Sequence, residues 1–370
     1  MKVFVAMSGG VDSSVAAALL KEQGNDVTGV TMQLWPRAVG NAGLSSCCGL
    51  DAIDDARRVA AVIGIPHYVV NMRDAFETAV IDNFISEYRS GRTPNPCVRC
   101  NQIIKFDILL KKVIAMGADK LATGHYARIE SREQRAESKE QDQEVANHQS
   151  RIIIYRLLKG VDKKKDQSYF LWTFTQEQLA KTLLPLGDLT KEQVRDKARS
   201  YGLPVAEKAE SQEICFVPED RYREFLAERG VADKPGPIVN ASGAVIGTHS
   251  GITGYTVGQR KGLGIASDEP LYVVAIDIDK NQVVAGPEAE TYTESIVANQ
   301  ANYVSGSGFT QPTNVMVRIR YNAAEVPARL TPIEGDKIRL DFDRPHRAVA
   351  PGQSVVLYND SEVLGGAVIL

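Results

Sequence analysis

The sequence predicts a doubly wound parallel α/β domain, then a small central α+β domain, then a C-terminal β-barrel. Three observations carry the prediction. Strand-like and helix-like runs alternate through residues 1–125, the pattern of a parallel sheet covered on both faces. A glycine turn at residues 6–14 joins the first strand-like run to the first helical one. From residue 282 onward, short β-type runs alternate with turn residues, as in a barrel or sandwich. The expected divisions are 1–203, 204–281 and 282–370.

Each element follows from its local pattern. Val3-Phe4-Val5-Ala6 is apolar at every position, as a strand buried on both faces must be. Residues 15–20 form the helix behind the glycine turn, and residues 27–32 the second strand. Over 51–63, Ile53, Ala56, Val59, Ala60 and Ile63 share one helical face, and Gly64-Ile65-Pro66 ends that helix. Residues 67–70 read as a strand, 74–88 and 105–116 as helices, and 120–123 as a further strand. Residues 130–150 carry almost no large apolar side chains and read as a solvated insertion. A strand pattern resumes at Ile152. Beyond Gly202, glycine and proline punctuate short β-type runs at 235–239, 253–257 and 271–276, followed by 315–321, 337–342 and 354–358.

Composition narrows the function classes. At 370 residues and 44% hydrophobic, the chain is globular, with room for two or three domains. A net charge of −3 and a pI near 6.0 exclude a broadly basic nucleic-acid binder, so any RNA contact needs a local basic patch. No apolar run is long enough to span a membrane, and Met1 leads directly into the first strand. A cytoplasmic location without a membrane partner is therefore expected. Five cysteines in that setting point to catalytic, redox or metal-binding roles over structural disulfides. Cys47-Cys48 read as part of a loop before the helix at 51, with a metal or redox role left open.

Residues 6–14 are Ala6-Met7-Ser8-Gly9-Gly10-Val11-Asp12-Ser13-Ser14. A strand that feeds a helix through such a turn aims backbone N–H groups and a positive helix end at an anion. Gly9 and Gly10 permit close approach, and the serines add hydroxyl donors. Asp12 suits the orientation of a metal ion or of the loop itself. The Gly-Lys-Ser/Thr ending of a Walker loop is missing. Ser-Gly-Gly-x-Asp-Ser instead resembles the pyrophosphate loop of the N-type ATP pyrophosphatases, which cleave ATP between its α and β phosphates and adenylate an oxygen. The run Thr123-Gly124-His125-Tyr126 follows a later strand, at the same ligand-binding edge of the expected sheet.

The second strong signal is Thr93-Pro94-Asn95-Pro96-Cys97-Val98-Arg99-Cys100-Asn101. Two prolines predict a rigid extended loop ahead of a helix beginning near Asn101. Cys100 then lies near a helix N-terminus, where the dipole favours the thiolate, and Arg99 adds to the effect. A third cysteine, Cys215, lies far off in Glu210-Ser211-Gln212-Glu213-Ile214-Cys215-Phe216.

With these motifs the sequence resembles the tRNA-specific 2-thiouridylases, which convert the wobble uridine of certain tRNAs to 2-thiouridine. The resemblance rests on residues 6–14, 93–101, 122–126, 165–171, Cys215 and 251–264, and spans nearly the whole chain outside 130–150. It implies an N-type ATP pyrophosphatase domain followed by a small central tRNA-binding domain and a C-terminal β-barrel domain. It also implies ATP-dependent adenylation of the uracil oxygen, with magnesium accompanying ATP, and replacement of that oxygen by sulfur. Cys215 would take sulfur from a persulfide-donor protein or cysteine desulfurase, and Cys100 would help release it. The implied ATP contacts are Ala6, Met7, Ser8, Gly9, Gly10, Val11, Asp12, Ser13, Met32 and Gly124. The implied tRNA contacts are Asn95, Pro96, Cys97, His125, Lys165, Asp166, Gln167, Arg320, Tyr321 and Gln353. The target base is in the anticodon loop and is already single-stranded.

One departure stands out. Many members carry Asp where this chain has Cys97, so an acid–base role at that position is in doubt. Cys97, Cys100 and Cys215 could instead ligate a [4Fe-4S] cluster with one iron open to sulfide. A Cys97–Cys100 redox pair, a zinc site short of one ligand and a spectator Cys97 are the competing readings. Two other function classes remain. A ligase or lysidine synthetase needs the loop but not the cysteines. A tRNA-binding or sulfur-carrier protein has no reason to keep the loop. Residues 258–264 suit either a loop that closes on RNA or a cluster of β-turns.

Overall fold

A computed structural model describes residues 1–34, 50–135, 151–210, 214–217 and 221–370. Cys47-Cys48 and residues 136–150 lie outside these. The first sheet contains β1 (Lys2–Ala6), β2 (Asp26–Gln33), β3 (His67–Asn71) and β4 (Lys120–Ala122). A hairpin of β5 (Ala127–Arg135) and β6 (Arg151–Lys159) follows, and β7 (Thr182–Leu183) returns to the sheet edge. The order is β3-β2-β1-β4-β7, with every pairing parallel.

Strand β1 is covered on both faces. Val3 and Val5 pack with Val15 and Leu19 of α1 (Val11–Glu22) and Val59 of α2 (Leu50–Ile63). Phe4 points the other way, into a cluster with Phe76, Phe84, Leu109 and Leu121. Each fully buried side chain of this size contributes roughly 2 kcal/mol. The chain leaves β1 toward β2 and comes back on the other side at β4. That reversal opens a crevice at the carboxyl ends of β1 and β4.

Two helical segments cover the Phe4 face, at 73–89 and 96–115. Each contains a widened stretch with i→i+5 geometry, Glu77–Ile81 and Cys100–Leu109. The second segment corrects a sequence expectation. The helix starts at Pro96, not near Asn101. Asn95 caps it, its side chain accepting from the Val98 N–H at 3.2 Å, and Pro96 occupies the first turn, where a missing N–H costs nothing. Cys97 is therefore in the first turn. Cys100 is a turn further in, where the helix dipole has faded.

The solvated tract expected at 130–150 also begins too early. Glu130 to Arg135 form the outer half of β5, paired residue by residue with 151–156 of β6. The ladder to an Ile-rich partner holds this polar strand, which its own composition does not announce.

The central sheet has order β10-β11-β8-β9, from β8 (Gly236–Val239), β9 (Val245–His249), β10 (Tyr272–Asp277) and β11 (Gln282–Gly286). The β10–β11 hairpin runs across the expected 281/282 division. Residues 253–257 are not a strand. Ile252–Gly254 make a single helical turn, held by the Thr253 hydroxyl donating to Asp233.

The barrel uses β12 (Tyr292–Tyr303), β13 (Thr313–Arg318), β14 (Val326–Pro332), β15 (Ile338–Arg347), β16 (Ser354–Asn359) and β17 (Glu362–Ile369). Pairing of β12 with both β15 and β17 closes it. Strand β13 ends at Arg318, so Arg320 and Tyr321 sit in the following turn instead of the strand expected at 315–321. The β5–β6 hairpin joins the outside of the barrel through Leu157 and Leu158 opposite Val363 and Glu362. Among the described residues no helix is long and apolar enough to cross a membrane.

Candidate active site

The crevice between β1 and β4 is a cleft of about 180 Å³. Its walls are the loop residues Ala6, Met7, Ser8, Asp12 and Ser13, then Val30 to Met32 of β2, Thr123 to His125, Gln167 and Lys105. Gly10 is extended (φ −99°, ψ 167°) and α1 starts at the next residue. The Ser13 hydroxyl accepts from the Ser8 N–H at 3.0 Å, and the Ser14 hydroxyl donates to the Gly10 carbonyl at 2.8 Å. The loop is thus stitched to itself within a few residues. Gly9 has φ +68°, and a Cβ there would meet the Ala52 carbonyl oxygen at 2.3 Å. A Cβ on Gly124 would lie 2.7 Å from the Asp12 and Ser13 backbone. Gly124 lets the second strand end press onto the loop.

Lysines and acids surround this loop. Lys191 Nζ donates to both Asp12 oxygens at 2.8 and 3.0 Å and pairs with Glu210 at 3.0 Å. Lys165 pairs with Glu210 at 2.6 Å. Lys208 donates to the Gly9 carbonyl at 3.0 Å and pairs with Asp55 at 2.6 Å. Burial alone would raise the Glu210 pKa, but hydrogen bonds from Lys165 and Lys191 outweigh it and hold the carboxyl below its ordinary value. The same balance, with Lys208 and Arg58, keeps Asp55 ionised. The Tyr126 hydroxyl donates to Asp12 at 2.7 Å. Burial and then the Asp12 charge push its pKa up, so the phenol keeps its proton. Asp12 orients the loop through these partners.

On the opposite wall, Thr123 Oγ1 and His125 Nδ1 are 2.7 Å apart. Burial, then the charge of Lys105, drives the His125 pKa well below 6.5, so the imidazole is neutral at pH 7. Gln167 Oε1 accepts from the Tyr126 N–H at 3.0 Å.

Cys97 is exposed, whereas Cys100 and Cys215 are partly buried against the same apolar cluster. Phe216 fixes the chain beside Cys215. Its ring centroid lies 5.1 Å from Phe84, 5.8 Å from Phe76 and 5.5 Å from Phe225. Among the described residues no group of three His, Cys, Asp or Glu is placed to hold a metal ion. The [4Fe-4S] reading of Cys97, Cys100 and Cys215, one of those left open, finds no such group there.

Known proteins match along the whole chain. Family profiles described as a tRNA methyl transferase HUP domain, a tRNA methyl transferase PRC-barrel domain and an aminomethyltransferase beta-barrel domain match residues 1–219, 223–287 and 293–369. The tRNA-specific 2-thiouridylase MnmA of Heliobacterium modesticaldum is 50% identical over 371 residues, covering 100% of this chain and 92% of that protein. That of Moorella thermoacetica is 51% identical over 367 residues, covering 99% and 98%. The chain belongs to the tRNA-specific 2-thiouridylase family. Solved structures resemble it distantly. A 4-thiouridine synthetase–RNA complex with bound ATP is 17% identical with a TM-score of 0.35, covering 62% of this chain and 50% of that one.

The fold brings together the residues that the resemblance assigned to ATP in this 2-thiouridylase. Ala6, Met7, Ser8, Asp12, Ser13, Met32 and Gly124 all line one cleft, with Gly9, Gly10 and Val11 between them in the same turn. Residues assigned to tRNA are placed more variously. Asp166 is buried and accepts from the Gly160 N–H, the Ser168 N–H and the Ser168 hydroxyl at 3.0, 3.1 and 3.0 Å. It is a hub of the 160–168 turn, and its Oδ2 also lies 3.5 Å from Arg318 Nη1. The Arg320 guanidinium donates to the Val257 and Ala348 carbonyls, and the Tyr321 ring packs 4.5 Å from Phe170. Gln353 reaches the Thr93 carbonyl at 2.9 Å. Pro96 is buried.

Sequence reasoning missed Lys105, Tyr126, Lys191, Lys208 and Glu210. Tyr126 stood inside a quoted motif without a role. Lys105 follows Cys100 by five residues, which an i→i+5 helix places on one face. Glu210, like Tyr126, stood inside a quoted motif without a role, and Lys191 and Lys208 come from remote segments and carry no local signal.

Proposed function

We propose that the chain is an ATP-dependent tRNA 2-thiouridylase acting on a wobble uridine in the cytoplasm. One observation carries the reading: the helix that bears Cys100 also puts Lys105 into the nucleotide cleft. Activation of the base and delivery of sulfur then occur within one crevice.

The uracil O2 attacks the α-phosphorus of ATP, the bond to the bridging oxygen breaks, and pyrophosphate leaves. The N–H groups at the start of α1 and the Lys105 charge meet the negative charge that develops there. Cys215 carries a persulfide taken from a donor protein. Its terminal sulfur attacks C2, and AMP leaves with the former O2. The Cys100 thiolate then attacks Cys215 Sγ. The S–S bond breaks, sulfur stays on C2, and a Cys100–Cys215 disulfide remains for an external dithiol to reduce. No step passes through an iron–sulfur cluster. Magnesium would enter with the ATP phosphates, because Asp12 already serves Lys191 and Tyr126. The α/β domain activates the base, and the central segment that carries β8 to β11 receives the tRNA.

The test is to incubate unmodified tRNA transcript with ATP and glutathione persulfide, then digest it and look for 2-thiouridine by mass spectrometry. AMP and pyrophosphate should form only with tRNA present. Pyrophosphate release that depends on an amino acid instead would favour a ligase or lysidine synthetase.

A further inference from the structure

Resting on the 2-thiouridylase reading, we propose that Gln353 is a positioning residue of the sulfur-transfer site. It holds the 93–95 segment from the barrel side, so the barrel is part of the machinery that sets Cys100.

The contact is built from both sides. Gln353 Nε2 donates to the Thr93 carbonyl at 2.9 Å, with the Pro94 carbonyl at 3.4 Å. The Thr93 N–H donates to the Pro351 carbonyl at 2.8 Å. Gly352, at φ +88°, brings the barrel turn so close that a Cβ there would lie 3.0 Å from the Thr93 backbone. Arg92 Nη2 donates to the Ile369 carbonyl at 3.0 Å, while its Nε donates to Glu87 at 2.8 Å. Next to the turn, the Tyr169 hydroxyl donates to the Ser354 carbonyl at 2.8 Å.

The chemistry explains why this grip is needed. Pro94 and Pro96 have no N–H, so the 93–96 stretch cannot tie itself down through a backbone ladder. Its carbonyls need outside donors, and the Gln353 amide supplies one. Asn95, which follows directly, caps the helix that carries Cys97 and Cys100. The start of that helix is thus set by a turn of the barrel. A donor spent on Thr93 is not available to an RNA phosphate, which separates this role from the tRNA contact that the resemblance implied.

The experiment is Gln353→Met, which keeps the side-chain length and removes the amide. Thiolation is followed against tRNA concentration with glutathione persulfide as sulfur source. Alkylation of Cys100 by iodoacetamide is followed across pH by peptide mass spectrometry. We expect kcat to fall about tenfold with KM for tRNA held within about twofold, and the Cys100 alkylation profile to shift. A tRNA KM raised about tenfold with unchanged kcat and unchanged Cys100 alkylation would assign Gln353 to RNA and overturn the proposal. No change in any of the three readouts would overturn it as well. If Gln353→Met does not fold by circular dichroism, Gln353→Glu gives the same readouts, since a carboxylate facing two carbonyls cannot replace the donor. The alkylation readout needs neither tRNA nor sulfur. A wild-type protein that makes no 2-thiouridine while Gln353→Met still shifts Cys100 would sink the functional reading and leave the positioning role standing.

Discussion

The phosphate loop and the cysteine helix border the same crevice, yet they are held in opposite ways. The turn of the loop is formed by bonds spanning three to five residues, from Ser13 and Ser14 to Gly10 and between Ser8 and Ser13. Tyr126, Lys191 and Lys208 add long-range bonds to Asp12 and the Gly9 carbonyl. The cysteine helix is approached through a stretch gripped from 260 residues away, by Gln353 on Thr93. Cys215 depends on Phe216, whose aromatic partners lie on helices from two segments. A self-stitched loop keeps its shape wherever a strand feeds a helix. A site assembled at long range exists only once the domains have docked.

Substitutions at the cysteines should have the largest effect and test whether the two sides can be separated. Cys100→Ser or Cys215→Ser should lower 2-thiouridine formation on the order of 10³-fold or more. The adenylation side, read as tRNA-dependent pyrophosphate release, should change little in a single turnover, whereas AMP release, which follows sulfur attack, should be lost in Cys215→Ser. Equal loss of 2-thiouridine formation and pyrophosphate release would break the division. Cys97→Asp sharpens the same point: thiolation should stay within about threefold, and a total loss accompanied by loss of bound iron would restore the cluster.

Gly9→Ala acts on the locally held side. Its Cβ has no space beside Ala52, and the positive φ is strained for alanine. We expect ATP-dependent pyrophosphate release to drop about 100-fold, because even ~1 Å misplacement of a reacting group costs that much. Cys100 alkylation should stay as in the wild type. A matching change at Cys100 would show that the two sides are coupled.

Asp166→Asn comes next. The carboxylate is buried and meets backbone, Ser168 and Arg318 donors, so the variant should lose about 2 kcal/mol of stability in chemical denaturation. Its KM for tRNA should be unchanged. A raised KM at full stability would return Asp166 to the RNA interface.

The smallest effect is a pH dependence. The folded pKa of His125 lies below 6.5, because burial and Lys105 disfavour the imidazolium. Between the folded and unfolded values the unfolded chain binds the extra proton. The stabilising contribution is therefore complete above pH 6.5 and is lost as pH falls toward the folded pKa. Thermal melts from pH 7.5 to 5 should show this loss, and His125→Gln should reduce it. An identical slope in the variant would remove His125 from the account.

The sequence alone determined what short-range chemistry can determine. Alternation of apolar runs predicted the parallel sheet, and the order of strand, glycines, serines and helix predicted the anion site, because these depend on neighbours within a turn or two. Helix and strand limits were less legible where a distant partner overrides local pattern. The start of the cysteine helix moved to Pro96 because Asn95 caps it, and the polar half of β5 is a strand because β6 pairs with it. Lys191 on Asp12, Lys208 on the Gly9 carbonyl, Phe216 in its aromatic box and Gln353 under Thr93 were decided by tertiary structure alone. A lone lysine, phenylalanine or glutamine has the same chemistry anywhere in a chain. Only the folded chain, which brings remote segments of the α/β domain together and docks the barrel against them, gives each one a partner.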